Sequence, residues 1–390
     1  MFNRRDFLRI SGLSVASALT ALKGYSAEKE SAEPGNEGLY FMGDGPMYAP
    51  EEFITKLQQI NQENPIVKDS YGRGGSVEQL IKKFCEITGK EAGIFMPTGT
   101  LANQLAISVL SGENTKAFVQ ETSHVFRDEA DSAQSVFSKR LIPLATGKAY
   151  FTADELKKAV EELTQGEVFK SGIGAVSIEN PVRRNDGQFV PLNEIKKISA
   201  FCREKGYKLH LDGARIYLAA AFSGTSVTEY SSYFDTVYIS LYKYLGASGG
   251  AVLCGPKVII DKMEHLVKVH GGVVYSNWAN ASMALHHLNG IDDRFKRFAL
   301  QADQLFTMLN KMPELKITKI ENGTNISVMK LAVSVNSKKL TDVLWEKYRI
   351  ALPVAKSDGM IKLTVNDSLL TRTNEQIAAA FKDAISSSRA

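Results

Sequence analysis

The chain has 390 residues, 44% of them hydrophobic and 23% charged, with only three Cys. This composition excludes a collagenous, disordered or disulfide-stapled protein and leaves room for two domains. A net charge of +4 would point to nucleic acid or an anionic surface if it were spread over the fold. It is concentrated at the front: residues 1–27 carry Arg4, Arg5, Arg9 and Lys23 against Asp6, and without them the chain stands at +1. There Asn3-Arg4-Arg5-Asp6-Phe7-Leu8-Arg9 is followed by thirteen uncharged residues, Ile10 to Leu22, and small residues ending in Ser26-Ala27. Such a run is too short to span a bilayer, which takes about 20 apolar residues. The segment has the form of a signal peptide, and its paired arginines that of a twin-arginine export signal. The competing reading is an ordinary amphipathic helix. We expect a periplasmic or otherwise exported protein carried by the twin-arginine machinery. With no Lys/Arg stripe interleaved with aromatics, we expect no nucleic-acid partner.

Residues 28–38 are polar and interrupted by Pro and Gly, which predicts a linker. Apolar runs at 92–96, 117–119, 174–178, 208–211, 236–239 and 251–253 then predict buried strands. Helix-period segments at 76–88, 100–110, 153–164 and 192–205 lie between them. This alternation predicts an α/β domain over 39–275 with a mainly parallel sheet covered on both faces. A helical stretch at 277–310 leads to strands near 315–320, 325–335 and 360–365 and helices near 337–347 and 374–387. Residues 276–390 are therefore expected to form a connecting helix and a smaller C-terminal α+β domain. Cys85, Cys202 and Cys254 are odd in number, lack metal-ligand spacing and sit in apolar contexts. They predict buried free thiols and no metal site.

In open α/β sheets, ligands bind outside the carboxyl ends of the strands. Strand 92–96 runs into Pro97-Thr98-Gly99-Thr100 at a helix start, either a phosphate cradle or a plain Thr N-cap. Strand 208–211 ends in Asp212-Gly213-Ala214-Arg215. A carboxylate there needs a cation, which could be a protonated cofactor ring nitrogen or Arg215. Strand 236–239 leads to Lys243 between Tyr242 and Tyr244, either a snorkelling surface lysine or a Schiff-base lysine in an apolar site. Taken together, a phosphate cradle, a carboxylate and a lysine after strands of one sheet are what pyridoxal phosphate requires. A nicotinamide site would need a Gly-rich turn leaving a strand. The cluster Gly246-Ala247-Ser248-Gly249-Gly250 enters one instead.

Residues 89–103, the run Leu209-His210-Leu211-Asp212-Gly213-Ala214-Arg215 and the turn Lys243-Tyr244-Leu245-Gly246-Ala247 resemble the threonine aldolase and β-eliminating lyase family of fold type I pyridoxal-phosphate enzymes. The resemblance covers roughly residues 40–385. It implies a fold type I, transferase-like architecture, with Lys243 as the Schiff-base lysine and Asp212 on the pyridine nitrogen. It also implies Thr98, Gly99 and Thr100 at the phosphate, His124 stacked on the cofactor and active in proton transfer, and Arg215 near the cofactor or substrate. A homodimer or homotetramer acting on an amino acid follows from the same resemblance.

The departures fall where the substrate would sit. The family's Arg-Ser-Asp-Thr run is Met42-Gly43-Asp44-Gly45 here. Tyr71-Gly72 keeps a family loop but continues as Arg73-Gly74-Gly75, and Pro181-Val182-Arg183-Arg184 replaces Thr-His-Asn after Glu179-Asn180. The family's carboxylate-binding Arg is replaced by Lys362, a point donor without a planar fork. Asp44, Tyr71, Arg215 and Lys362 are thus the candidate substrate residues, with Arg183 and Arg184 as other candidates for the lost clamp. The reaction implied is retro-aldol cleavage of a β-hydroxy amino acid to glycine and an aldehyde. The alternatives are β-elimination and a cofactor-binding pseudoenzyme.

Overall fold

The computed structural model describes residues 38–389 except Met47 and Ser357. Residues 1–27, expected to direct export, and the expected linker up to residue 37 lie outside the described residues. Residues Gly38–Ala390 form one compact unit. Its first eight strands are β1 (Leu39–Tyr40), β2 (Ala92–Met96), β3 (Lys116–Gln120), β4 (Arg140–Leu144), β5 (Ile173–Glu179), β6 (Lys208–Asp212), β7 (Thr236–Ser240) and β8 (Ala251–Gly255). Seven of them form one sheet in the order β2-β8-β7-β6-β5-β3-β4, in which only β8 runs against its neighbours. Every residue of β3, β7 and β8 is buried, which is why each reads as a continuous apolar run rather than an alternating one.

Most predicted elements recur within a residue or two, many of them bounded by Gly or hydroxyl caps, while the strand expected at 325–335 already ends at Leu331. The helix Gly75–Thr88 ends at Gly89 in the left-handed region, and the helix Ala153–Gly166 starts in a capping box from Thr152 and Glu155. The predicted helical stretch 277–310 is two helices, Trp278–Leu288 and Ile291–Leu309, separated at Asn289-Gly290. Strand β4 gave no apolar run, since it begins with an exposed Arg140 and contains Pro143. As the sheet's edge strand it tolerates both.

The C-terminal layer is a three-stranded antiparallel sheet of β9 (Leu315–Lys319), β10 (Ile326–Leu331) and, following the short β11 (Ile350–Ala351), β12 (Met360–Thr364), with β10 central. The first described residues tie this layer to the large sheet. β1 pairs with β11, Phe41 exchanges backbone bonds with Ala351 (3.0 Å) and Thr364 (2.9 Å), and Asn366 Nδ2 donates to the carbonyls of Tyr40 (3.1 Å) and Met42 (3.0 Å). The chain then runs onto the Lys243 loop, where a side chain on Gly45 would meet the Tyr244 backbone at 2.8 Å. That close approach requires glycine and delivers Asp44 to the carboxyl edge of the sheet.

Candidate active site

The carboxyl ends of β2, β5, β6 and β7 open into one cleft of about 450 Å³. Its walls include Thr98, Gly99, Thr100, His124, Asp212, Arg215 and Lys243, all expected from the sequence. Thr98 is the N-cap its position allowed. Its Oγ1 caps the helix Gly99–Ser111 by accepting from Leu101 N at 3.2 Å, and its carbonyl accepts from Ala102 N. The amides of Gly99 and Thr100 have no partner among the described residues and stand at the positive end of the helix dipole, where an anion binds. Gly99 lies against the hydroxyl of buried Tyr238, which a Cβ at this position would approach to 2.0 Å. Gly99→Ala is therefore expected to cost about 1–3 kcal/mol of stability through overpacking. It should also weaken cofactor binding at least tenfold, roughly one hydrogen bond's worth. A thermal melt and an absorbance titration with pyridoxal phosphate would read both.

Asp212 is buried at the end of β6 without a basic partner among the described residues. Its Oδ1 accepts from Ala214 N (3.2 Å) and its Oδ2 from Asn103 Nδ2 (2.9 Å). Arg215 does not neutralise it. That guanidinium instead forms a two-pronged pair with Asp44, Nε to Oδ1 at 2.7 Å and Nη2 to Oδ2 at 2.8 Å. Burial pulls Arg215 down and the Asp44 carboxylate more than offsets it, so the guanidinium is held above its ordinary range. An unpaired carboxylate facing a cleft fits a protonated ring nitrogen.

Asn103 extends this arrangement. Its Nδ2 also donates to Glu129 Oε1 (2.8 Å), and its Oδ1 accepts from His210 Nε2 (2.9 Å). Since Nε2 must then carry the proton, His210 Nδ1 accepts from Thr236 Oγ1 at 2.8 Å. Burial pushes His210 down to about 4, consistent with this neutral ring. Glu129 Oε1 also meets His124 Nδ1 at 2.8 Å, while its buried Oε2 has no hydrogen-bond partner among the described residues. The hydrogen bond to Glu129 raises His124 above its ordinary value, and burial raises Glu129. Both shifts favour a proton on the pair. With Nδ1 committed to Glu129, Nε2 is the nitrogen free to exchange protons in the cleft. Glu179 lies behind His124, accepting from His124 N (2.7 Å) and Arg183 N (3.0 Å). Burial, and then Asp212, push it up to about 7.

Because Glu129 favours the charged imidazolium, a reaction needing neutral His124 loses rate as pH falls through that raised value. In Glu129→Gln the imidazolium loses its partner charge, so the acid limb of kcat/KM is expected to move to lower pH. The kcat at the optimum should fall by no more than the roughly 100-fold that a general acid–base group contributes. A pH–rate profile of both proteins would check the sign.

Lys243 follows β7 in a loop closed by Leu241 N to Gly250 O (3.1 Å) and Ala247 N to Leu241 O (3.3 Å). Its Nζ lies 4.6 Å from the ring centre of Tyr242, and no carboxylate pairs with it among the described residues. Gly246, at φ +67°, lets the loop pack on His287, which a side chain there would strike at 2.6 Å. His287 Nε2 in turn meets Tyr48 Oη at 2.8 Å. The other two candidate substrate residues are elsewhere. Tyr71 lines a separate groove against Tyr275, with ring centres 5.2 Å apart, and Lys362 on β12 is paired with Asp186. Arg184 is likewise engaged by Asp128.

Asn103, Glu129, Tyr238 and Tyr242 complete the site, and sequence reasoning had not assigned them roles. Asn103 left one trace, a polar residue inside the apolar run 101–107. Glu129 left none, since its five-residue offset from His124 matters only once the loop is folded. The free amides, the uncompensated carboxylate, the unpaired lysine and a cleft of this volume fit pyridoxal phosphate.

The chain was compared with known proteins. A low-specificity L-threonine aldolase of Candida albicans is 32% identical over 279 residues, covering 70% of this chain and 73% of the relative. A low specificity L-threonine aldolase of Saccharomyces cerevisiae is 33% identical over 237 residues, 60% of each chain. A solved structure from Exiguobacterium sp. 255-15, named as a candidate aromatic amino acid beta-eliminating lyase/threonine aldolase, superposes with a TM-score of 0.75 at 23% identity. It covers 90% of this chain and 98% of its own, and so supports the fold. The model of the Beta-eliminating lyase family matches residues 57–332, which takes in all seven strands of the large sheet together with the cleft at their carboxyl edge. The chain belongs to the beta-eliminating lyase family.

Proposed function

We propose that this protein is a pyridoxal-phosphate-dependent lyase that cleaves a β-hydroxy amino acid between Cα and Cβ, giving glycine and an aldehyde. The observation that carries the reading is the convergence on one cleft of a lysine and a carboxylate, each without an ion-pair partner among the described residues, and an imidazole held through Nδ1 by Glu129. Relatives named as low-specificity L-threonine aldolases support it. When bound, pyridoxal phosphate supplies the electron sink that stabilises negative charge at Cα.

The protein's own groups do the rest. The Gly99 and Thr100 amides and the threonine hydroxyls would hold the phosphate, Asp212 would sit against the ring nitrogen and favour its protonated form, and Lys243 would supply the amine that holds the cofactor. His124 Nε2 takes the β-hydroxyl proton as the carbon–carbon bond opens, and Glu129 stabilises the imidazolium that results. Arg215, fixed by Asp44, forms the wall on the substrate side.

Incubation of the holoenzyme with threonine, allo-threonine and phenylserine, with aldehyde and glycine both measured, tests this. Stoichiometric aldehyde and glycine are expected. Pyruvate and ammonia from serine, with no aldehyde from any of the three, would replace cleavage with β-elimination.

We also propose that the protein is exported through the twin-arginine route and works as a homodimer or homotetramer. The Arg4-Arg5 segment ahead of a short apolar run supports the first. Lysines in place of both arginines should retain a reporter fused to residues 1–37 in the cytoplasm. Light scattering of the purified holoenzyme would report the assembly.

A further inference from the structure

Two of the three thiols meet outside the active site. Cys254 on β8 is the cross-strand partner of Gly93 on β2, and Cys85 sits on the helix Gly75–Thr88 that covers this part of the sheet. Gly93 has no side chain, and the two sulfurs share the space left over it. Each lies 3.3 Å from the point where a Gly93 Cβ would stand. They differ in access: Cys85 is half-buried, Cys254 fully buried. Gly93 and Ile81, which border the pair, also line a groove of about 1040 Å³.

We propose that Cys85 and Cys254 form a reversible two-cysteine oxidation site, in which Cys85 reacts with a peroxide and Cys254 resolves the product to an internal disulfide. A redox-active cysteine needs thiolate character, access and a nearby resolving thiol. Cys85 is half-buried, has Cys254 across the space over Gly93 as a resolving thiol, and has its thiol lowered by that neighbour while Cys254 is raised.

In the first step the Cys85 thiolate attacks a peroxide oxygen. An S–O bond forms, the O–O bond breaks, the sulfur loses two electrons, and hydroxide leaves as water with the Cys85 proton. In the second step Cys254 sulfur attacks Cys85 sulfur. The S–S bond forms, the S–O bond breaks, and a second water leaves with the Cys254 proton. The sum is two thiols and one peroxide to one disulfide and two waters. The bond would fasten the covering helix to β8, the strand that starts directly after Gly249 and Gly250 in the cleft wall. Cys202 serves as an internal control, because burial pushes its thiol up to about 12.

The test treats the purified full chain with stoichiometric hydrogen peroxide and maps its peptides without reduction. A Cys85–Cys254 peptide lighter by two hydrogens is expected, reversed by dithiothreitol and with Cys202 left free. Cys254→Ser should stop at a sulfenic acid on Cys85 that dimedone captures. Cys85 remaining a free thiol in the wild-type chain, or passing to sulfinic acid with no cross-linked peptide, would overturn the proposal. The wild-type map decides even if the variant fails to fold.

Discussion

Lys243→Ala is expected to lower kcat by about 100,000-fold, the scale set by losing an oriented intramolecular nucleophile. Among the described residues lining the cleft, Lys243 is the sole primary amine, so no neighbour can stand in for it. The visible absorbance of cofactor held by the protein should disappear with it. Stability of the cofactor-free protein should change by only about 0.5 kcal/mol, because the side chain is half-buried and makes no ion pair. Methylamine should restore part of the lost activity, since Asp212, His124 and the Gly99 and Thr100 amides are placed by elements that do not depend on the lysine. Spectrum and turnover measured on the same preparation separate this from misfolding. A variant that kept its colour and its rate would move the chemistry to another amine.

The strands and the residues at their carboxyl ends were legible from sequence because β3, β7 and β8 are buried on both faces and leave unbroken apolar runs. Thr98, Asp212 and Lys243 each follow such a run directly, so local order already located them at one edge. The residues that tune them were not legible. Asn103 reaches Asp212 across 109 positions and His210 across 107. Asp44 meets Arg215 across 171. None of these pairings has a period or spacing in the chain. They exist only because the sheet brings β6 beside the helix Gly99–Ser111 and because the first described residues are threaded through the C-terminal layer. The same threading takes Arg215 away from Asp212, because the guanidinium pairs with Asp44 instead. Lys362 shows the converse. Its place in β12 suggested a substitute clamp, yet Asp186 takes its charge.

Asp212→Asn should separate two properties that normally fall together, activity and stability. In the cofactor-free protein Asp212 is a buried carboxylate supported by one amide from Asn103 and one from Ala214, with no cation beside it. Burying such a charge is costly. The isosteric amide removes that cost; its carbonyl can still accept from Asn103, and only the longer bond from Ala214 N is given up. The cofactor-free variant is therefore expected to melt at the same temperature as the wild type or higher, in keeping with stability held back at functional sites. With the cofactor the order reverses, because an amide presents no charge to hold a proton on the ring nitrogen. kcat should fall by about 1,000-fold, the upper scale for removing one preorganised electrostatic contact, while KM changes little. The extra melting temperature gained on adding pyridoxal phosphate should shrink as well, since binding to the folded state stabilises it in proportion to affinity. Melts of both proteins with and without cofactor, beside kcat and KM, would read the reversal. A variant less stable than wild type without cofactor, yet equal to it in kcat, would make Asp212 a structural residue and remove it from the chemistry.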